Sequence, residues 1–160
     1  AKIVLVPAFA PPVPGAGAKQ TIADFHDRVA MAVIAVDDVP GVEVSVLEEE
    51  LEKPNFTYKT IEAIVAQKPG SSIAWMIGAD QLNAFETWRE PRNILEHASL
   101  VVLPRDGWSG VDLFEVSQRL AIKLGFSIQC DEVGLRVDLT GGQSIFVLTT
   151  SPKNTSSTEV

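Results

Sequence analysis

Gly78 and Asp80 stand directly after an apolar run over 73–77, and that run predicts a buried strand. A glycine at this position lets a ligand approach the backbone closely, and a carboxylate beside it can bind sugar hydroxyls. The same Gly-Ala-Asp residues are also typical of an ordinary helix start, so taken alone they leave both interpretations open.

Three consecutive hydroxyl side chains, Ser156, Ser157 and Thr158, follow the last apolar run, where a helix is expected to start. Hydroxyls, unpaired N–H groups and the positive end of a helix dipole together make a phosphate site. As an isolated motif, the segment also fits a flexible polar tail.

Two cations follow other apolar runs. Lys19 comes after Pro11-Pro12 and a stretch rich in Gly and Ala, where it could hold a phosphate or belong to a rigid surface turn. Arg105 could make a forked contact with phosphate or pair with Asp106, and the pair is the simpler interpretation.

Phe56 and Thr57 lie where another helix begins. Thr57 is typical of a helix N-cap, yet free N–H groups at a helix start also suit a carboxylate or a phosphate. Trp88 lies among charged residues. It is a candidate platform for stacking a flat ring, or else it covers the domain edge.

The remaining polar groups indicate no metal site. The run from Glu48 to Glu50 is expected to be solvated. His26 and His97 lie in helical patterns without Cys, Asp or Glu at metal-ligand spacing, so we interpret both as structural and predict no zinc site. Cys130 is the single cysteine, which excludes a disulfide within this chain.

The elements that must position these groups alternate between strands and helices. Amphipathic patterns predict helices over 22–36 and 113–124, the second with Asp112 as a cap. Between 106 and 142, the pattern predicts a helix, a less regular strand pair and a Gly-rich turn. The predicted strands cover 3–6, 42–47, 73–77, 100–103 and 145–148.

Short apolar strands that alternate with helices predict an α/β fold, with a parallel sheet covered by helices on both faces. Ligands of such sheets bind in the crevice beyond the carboxyl ends of the strands. The candidate groups all follow predicted strands, so we expect them to face that crevice.

Composition limits the class of protein. A chain of 160 residues predicts one domain over 1–160. A net charge of -8 argues against a general nucleic-acid binder, and no apolar run approaches the ~20 residues that a membrane span needs.

The order of these signals resembles the bacterial nicotinate-nucleotide adenylyltransferase family. Pro-Pro with a later Lys, Asn-Phe-Thr-x-x-Thr, Ile-Gly-Ala-Asp-Gln-Leu, a downstream Trp, Arg-x-Gly and Ser-Ser-Thr follow one another along the chain. The resemblance extends from near residue 2 to residue 160. Its most specific parts are 75–82 with Trp88 downstream, and 155–160.

This resemblance implies a Rossmann-like nucleotidyltransferase fold and a cytoplasmic enzyme of NAD biosynthesis. The implied reaction joins ATP and nicotinate mononucleotide into nicotinate adenine dinucleotide and pyrophosphate, with Mg²⁺ escorting ATP. In-line attack on the α-phosphorus needs no covalent intermediate, so positioning and charge stabilisation supply the rate. A homo-oligomer stays among the open alternatives.

The resemblance also implies residue roles. The nicotinate ring stacks on Trp88, its carboxylate is received at Phe56 and Thr57, and Lys19 is the candidate contact for the mononucleotide phosphate. The implied ATP-binding residues are Gly78, Asp80, Arg105, Ser156, Ser157 and Thr158.

The chain departs from the family pattern in its first loop. The family's G-x-F-x-P-x-H-x-G-H segment should precede Ala1, and its closing helix should follow Val160, so we expect a domain that is incomplete at both ends. We therefore predict no catalytic residue within these residues. After Pro-Pro, Val13 replaces the family's usual His, and Lys19 is delayed by an insertion.

Two alternatives stay open. One is another adenylyltransferase of the same superfamily, acting on nicotinamide mononucleotide or pantetheine phosphate. The other is a nucleotide-binding module without catalysis.

Overall fold

The computed structural model describes residues 2–12, 23–104 and 107–149. The predicted site residues outside these ranges are Lys19, Arg105, Ser156, Ser157 and Thr158. The chain divides into two compact units, Ala1–Ala63 and Ile64–Val160. The expectation of one domain over 1–160 stays a prediction.

The first unit contains a two-stranded parallel sheet, in which β1 (Ile3–Leu5) pairs with β2 (Val42–Val44). Between them in sequence lies α1 (Phe25–Val36). The carboxylate of Asp24 accepts the N–H of Asp27 at 2.8 Å and caps this helix. The helix predicted over 22–36 is therefore confirmed from Phe25 onward.

Burial in the first unit is less complete than the sequence predicts. Ile3 is 56% exposed, and every residue of β1 is exposed. On the predicted apolar face of α1 only Phe25 is buried, while Val33 is 46% exposed. A two-stranded sheet buries less strand surface than a larger one, so the prediction of a strand covered on both faces is wrong for β1.

The second predicted strand ends earlier than position 47. Ser45 Oγ accepts the N–H of Leu47 at 3.2 Å, and the chain turns into the short helix α2 (Leu47–Glu50). Such a local side-chain hydrogen bond favours a turn over a continued strand. The next helix is α3 (Thr57–Gln67), which contains the division between the two units.

The second unit contains a five-stranded sheet of order β3-β4-β7-β6-β5. The parallel strands are β3 (Ile73–Gly78), β4 (Ala98–Leu103) and β7 (Ser144–Val147). β6 (Arg136–Leu139) runs antiparallel to both of its neighbours, β7 and β5 (Ile128–Asp131), so β5 has the same direction as the three parallel strands. The α/β fold and the strand pair expected before 142 are confirmed, and the sheet predicted to be parallel is mostly parallel because β6 runs the opposite way.

The helices of this unit lie between its strands in sequence. α4 (Ala79–Ala84) continues directly from β3 and leads into a 3₁₀ turn at Phe85–Thr87. α5 (Pro91–His97) precedes β4, and α6 (Gly110–Lys123) follows it. The fully buried core includes Leu82, Phe85, Ile94, Leu95, Leu100, Val102, Leu113, Val137 and Ile145.

α6 is closed at its start by a capping box. Ser109 Oγ accepts the N–H of Asp112 at 3.2 Å, and Asp112 Oδ2 accepts the N–H of Ser109 at 3.1 Å. The prediction of Asp112 as the cap is therefore wrong: Ser109 is the cap and Asp112 its partner. The Ser109 hydroxyl and N–H hold the pKa of the Asp112 carboxyl below its ordinary value of 3.8.

Among the helices within 2–12, 23–104 and 107–149, none is long and apolar enough to cross a membrane.

Candidate functional site

The carboxyl ends of β3, β4 and β7 lie at one edge of the second unit's sheet. In the parallel register Gly78 pairs with Leu103, and Val102 pairs with Val147. In parallel α/β sheets this is the edge where ligands bind.

Gly78 and Asp80, two of the predicted nucleotide-binding residues, lie at this edge. Gly78 is the N-cap residue of α4, with φ -81° and ψ 164°, and makes no side-chain capping bond. Any residue adopts this φ, so the backbone conformation does not require glycine here. What glycine provides is the absence of a side chain at the sheet edge. Asp80 is exposed in the first turn, and its carboxylate accepts a hydrogen bond from the Gln81 amide at 3.3 Å.

The chain also reaches this edge just before the other predicted ATP-binding segments. Pro104 follows β4 directly and precedes Arg105, while Thr149 is the last described residue before Ser156–Thr158. Pro104 comes one residue and Thr149 two residues after strands whose carboxyl ends share the edge. The roles of Arg105 and of the three hydroxyls stay predictions.

Trp88 lies in the second unit, immediately after the 3₁₀ turn. Its ring packs against the fully buried ring of Phe85, with centroids 4.9 Å apart and planes at 36°. The backbone N–H of Trp88 donates to the Phe85 carbonyl at 3.0 Å. The Trp88 side chain is anchored on the core and half-buried, and its role as a stacking platform stays a prediction.

Phe56 and Thr57 lie at the start of α3 in the first unit. The helix begins at Thr57, and the Phe56 carbonyl accepts the N–H groups of Lys59 at 2.9 Å and Thr60 at 3.3 Å. Phe56 therefore occupies the capping position, and the interpretation of Thr57 as the N-cap is wrong. A phenyl ring accepts no conventional capping bond, so the Phe56 side chain caps neither the Thr57 nor the Tyr58 N–H, whereas the Lys59 N–H donates to the Phe56 carbonyl.

Glu48 contradicts the prediction of a solvated charge run. It is only 7% exposed, whereas Glu49 and Glu50 are exposed as expected. The Glu48 carboxylate accepts the N–H of Phe9 at 3.0 Å and the hydroxyl of Thr60 at 2.9 Å. Three consecutive glutamates give no signal that distinguishes the one whose side chain points inward.

Asn55 is a second buried polar residue that the sequence analysis missed. It is 4% exposed, and its side chain accepts the N–H of Ala10 at 2.8 Å and donates to the Glu48 carbonyl at 3.0 Å. Its position directly before Phe56 was the available signal, because asparagine before a helix commonly bonds to nearby backbone.

Each histidine lies near a polar partner. His97 Nδ1 lies 2.9 Å from the Asn93 carbonyl, and His26 Nε2 lies 3.6 Å from the Glu49 carboxylate. Among the described residues no three His, Cys, Asp or Glu side chains form a group that could hold a metal ion.

A groove of about 290 Å³ runs beside α4 and α6. Leu82, Glu86, Arg119 and Lys123 are among the residues that line it. None of the predicted site residues within the described ranges lines this groove, so it adds nothing to the candidate site.

The mostly parallel sheet and the helices that lie between its strands in sequence define an α/β domain, a class in which ligands bind at the carboxyl edge of the sheet. The chain belongs to the cytidylyltransferase-like family, whose model matches residues 2–160.

Several relatives share the name "probable nicotinate-nucleotide adenylyltransferase". The one from Desulfatibacillum aliphaticivorans is 30% identical over 162 residues, or 99% of this chain and 72% of the relative. The one from Acidithiobacillus ferrooxidans is 35% identical over 133 residues, or 83% of this chain and 57% of the relative. The match to a Bordetella avium relative is 36% identical, covering 53% of this chain and 42% of the relative.

These relatives confirm the resemblance derived from the order of the motifs. The chain spans between 42% and 72% of the length of these three relatives.

Proposed function

We propose that the protein represented by this chain transfers the adenylyl group of ATP to nicotinate mononucleotide, forming nicotinate adenine dinucleotide and pyrophosphate in NAD biosynthesis. The observation that carries this proposal is the 30% identity to a probable nicotinate-nucleotide adenylyltransferase over 99% of the chain.

Two described regions support an acceptor that carries an acid on a flat ring. Trp88 offers a half-buried aromatic surface that is anchored on Phe85. The start of α3 offers the N–H groups of Thr57 and Tyr58, which the Phe56 side chain cannot cap, and such groups favour a carboxylate. Pantetheine phosphate has neither a flat ring nor a ring carboxylate, so these features favour the pyridine mononucleotide.

We assign ATP to the carboxyl edge of the second unit's sheet, as the substrate complex with Mg²⁺. Gly78 has no side chain at the end of β3, and Asp80 in the first turn of α4 carries an exposed carboxylate of the kind that accepts ribose hydroxyls. Mg²⁺ commonly keeps its waters and binds phosphates with few protein ligands, so a metal that arrives with ATP needs no protein cage. We propose that Lys19, Arg105, Ser156, Ser157 and Thr158 contact phosphates.

The proposed reaction requires the acceptor phosphate to attack the α-phosphorus of ATP in line with the departing pyrophosphate. Within the described residues the contributions are binding and orientation: stacking at Trp88, N–H groups at α3, and nucleotide contacts at Gly78 and Asp80. Such positioning can supply a large part of a rate enhancement for phosphoryl chemistry.

Pyrophosphate release by the intact protein tests the proposal. The reactions contain MgATP with nicotinate mononucleotide, nicotinamide mononucleotide or pantetheine phosphate at equal concentration, and one control contains no acceptor. We expect release with the nicotinate acceptor and only background release in the control. Release with pantetheine phosphate alone would establish the other adenylyltransferase, and nucleotide binding without any release would establish a binding module.

A further inference from the structure

Three successive backbone units after β1 are each held by a side chain of the first unit. Arg28 Nη2 donates to the Ala8 carbonyl at 2.7 Å. The N–H of Phe9 donates to Glu48 Oε2 at 3.0 Å, and the N–H of Ala10 donates to Asn55 Oδ1 at 2.8 Å. The segment over 8–10 therefore has one fixed path.

The side chain of Glu48 also reaches α3. Its Oε1 atom accepts the hydroxyl of Thr60 at 2.9 Å, while Oε2 accepts from the segment after β1. Asn55 makes the same connection through its backbone N–H, which donates to the Ala10 carbonyl at 2.8 Å. The segment over 8–10 and the first turn of α3 are thus joined through one carboxylate and one amide.

We call the hydrogen-bonded group of Glu48, Asn55 and Thr60 the joint. All three residues are buried, so a lost hydrogen bond there cannot be replaced by water. Glu48 is 7% exposed, Asn55 4% and Thr60 0%. A buried carboxylate is costly unless hydrogen-bond donors satisfy it, and a satisfied buried network fixes the relative position of the groups that it connects. Apolar side chains of equal size would fill the space without fixing the backbone direction.

We propose that Glu48 is a positioning residue for the acidic ring of the acceptor. By tying Phe9 to Thr60, it sets the position of the α3 start, where Phe56 and Thr57 receive the ring carboxylate. This inference rests on the proposed function and deepens it: selectivity for a carboxylate-bearing ring depends on a buried residue that does not touch the substrate.

Steady-state kinetics of the intact protein with MgATP and nicotinate mononucleotide tests this role. Glu48→Ala removes both bonds, and we expect about a tenfold rise in KM for nicotinate mononucleotide with KM for ATP changed by less than about twofold. We expect KM for nicotinate mononucleotide to change and KM for ATP to stay nearly constant, because the joint positions the α3 start, whereas the proposed ATP residues lie in the second unit.

Glu48→Gln supplies the conservative rescue. Its amide oxygen can accept the N–H of Phe9, and its NH₂ group can donate to Thr60 Oγ1. The Thr60 hydroxyl can then donate to the Phe56 carbonyl, 3.5 Å away. We expect most of the wild-type KM for nicotinate mononucleotide to return.

The matched control is Glu49→Ala, which removes a neighbouring exposed glutamate outside the joint. We expect both KM values to stay at wild-type levels. If circular dichroism shows that Glu48→Ala is unfolded, Thr60→Val removes only the hydroxyl contact, and its KM for nicotinate mononucleotide should rise in the same selective way.

The outcomes separate this inference from the proposed function. A wild-type protein without nicotinate-dependent turnover overturns both. With wild-type turnover established, the inference alone is overturned if the folded variant raises both KM values equally or neither. A Gln variant as impaired as the Ala variant also overturns it.

Discussion

The starts of α6 and α3 are built in opposite ways. At α6, Ser109 and Asp112 satisfy each other's backbone N–H groups, so the protein itself closes the helix end. At α3, Phe56 occupies the capping position with a side chain that cannot accept a conventional capping bond. A closed start contributes to stability, whereas an open start keeps N–H groups for an anionic ligand.

A substitution that caps the start of α3 should have the largest effect on the affinity for nicotinate mononucleotide. In Phe56→Asp, the new carboxylate would accept the N–H groups of the first turn and repel the acid of the substrate. We expect the affinity for nicotinate mononucleotide to fall by roughly 3 kcal/mol, measured by titration calorimetry on the intact protein. Phe56→Leu removes the ring without adding an acceptor and should cost much less. Equal losses in the two variants would contradict an open helix start.

Removing the aromatic platform should have the next largest effect. Trp88→Ala is expected to weaken binding of nicotinate mononucleotide by about 1 to 3 kcal/mol, because the stacking surface is lost. Trp88→Phe keeps a smaller ring on Phe85 and should recover part of the affinity in the same titration. Unchanged binding by Trp88→Ala would rule the platform out.

Opening the start of α6 should alter stability and leave binding unchanged. Ser109→Ala is expected to lower the free energy of unfolding by about 1 kcal/mol, measured by urea denaturation, because the N-cap bond is lost. Affinity for nicotinate mononucleotide should equal that of the wild type. If Ser109→Ala lost affinity for nicotinate mononucleotide without losing stability, the assignment of a stabilising role to the α6 start would be contradicted.

The smallest expected effect is the pH dependence of the α6 cap. Since the folded-state pKa of Asp112 is lowered from 3.8, its contribution is fully present above that value and is lost as pH falls through the folded-state pKa. Asp112→Ala should therefore be less stable than the wild type at pH 7. In denaturation series at decreasing pH, the difference should disappear in acid. A difference that grows in acid would contradict the assigned sign.

Periodicity predicted the second unit well. The apolar runs that became β3, β4 and β7 are short, and the β4 run holds the fully buried Leu100 and Val102. The stripe that became α6 has steps of three or four and ends before Gly125, whose φ is +83°. Such signals are local, so the sequence alone is enough to predict them.

The first unit shows where sequence patterns fail. Hydrophobicity predicted burial of Ile3, but burial depends on how many neighbours cover a strand, and no local pattern encodes that number. Glu48 was predicted to be solvated because its neighbours are acidic. Its burial depends on Phe9 and Thr60, which lie 39 and 12 residues away in sequence.

Topology accounts for where part of the predicted site lies, whereas the roles of its residues stay predictions. Parallel pairing brings the residue after β3 and the residues leading toward Arg105 and Ser156 to one sheet edge, as the alternation of strands and helices predicted. The open start of α3 depended on which residue takes the capping position. A one-residue difference between Phe56 and Thr57 decides this, and sequence patterns do not fix helix ends to one residue.

The most direct measurement is titration calorimetry of the intact protein with nicotinate mononucleotide and, separately, with nicotinamide mononucleotide. The two ligands share the flat ring and differ in the charge that the open start of α3 would receive. We predict at least about tenfold tighter binding of the nicotinate form, because N–H groups at a helix start favour a carboxylate. Equal affinities, or tighter binding of the amide, would contradict the account.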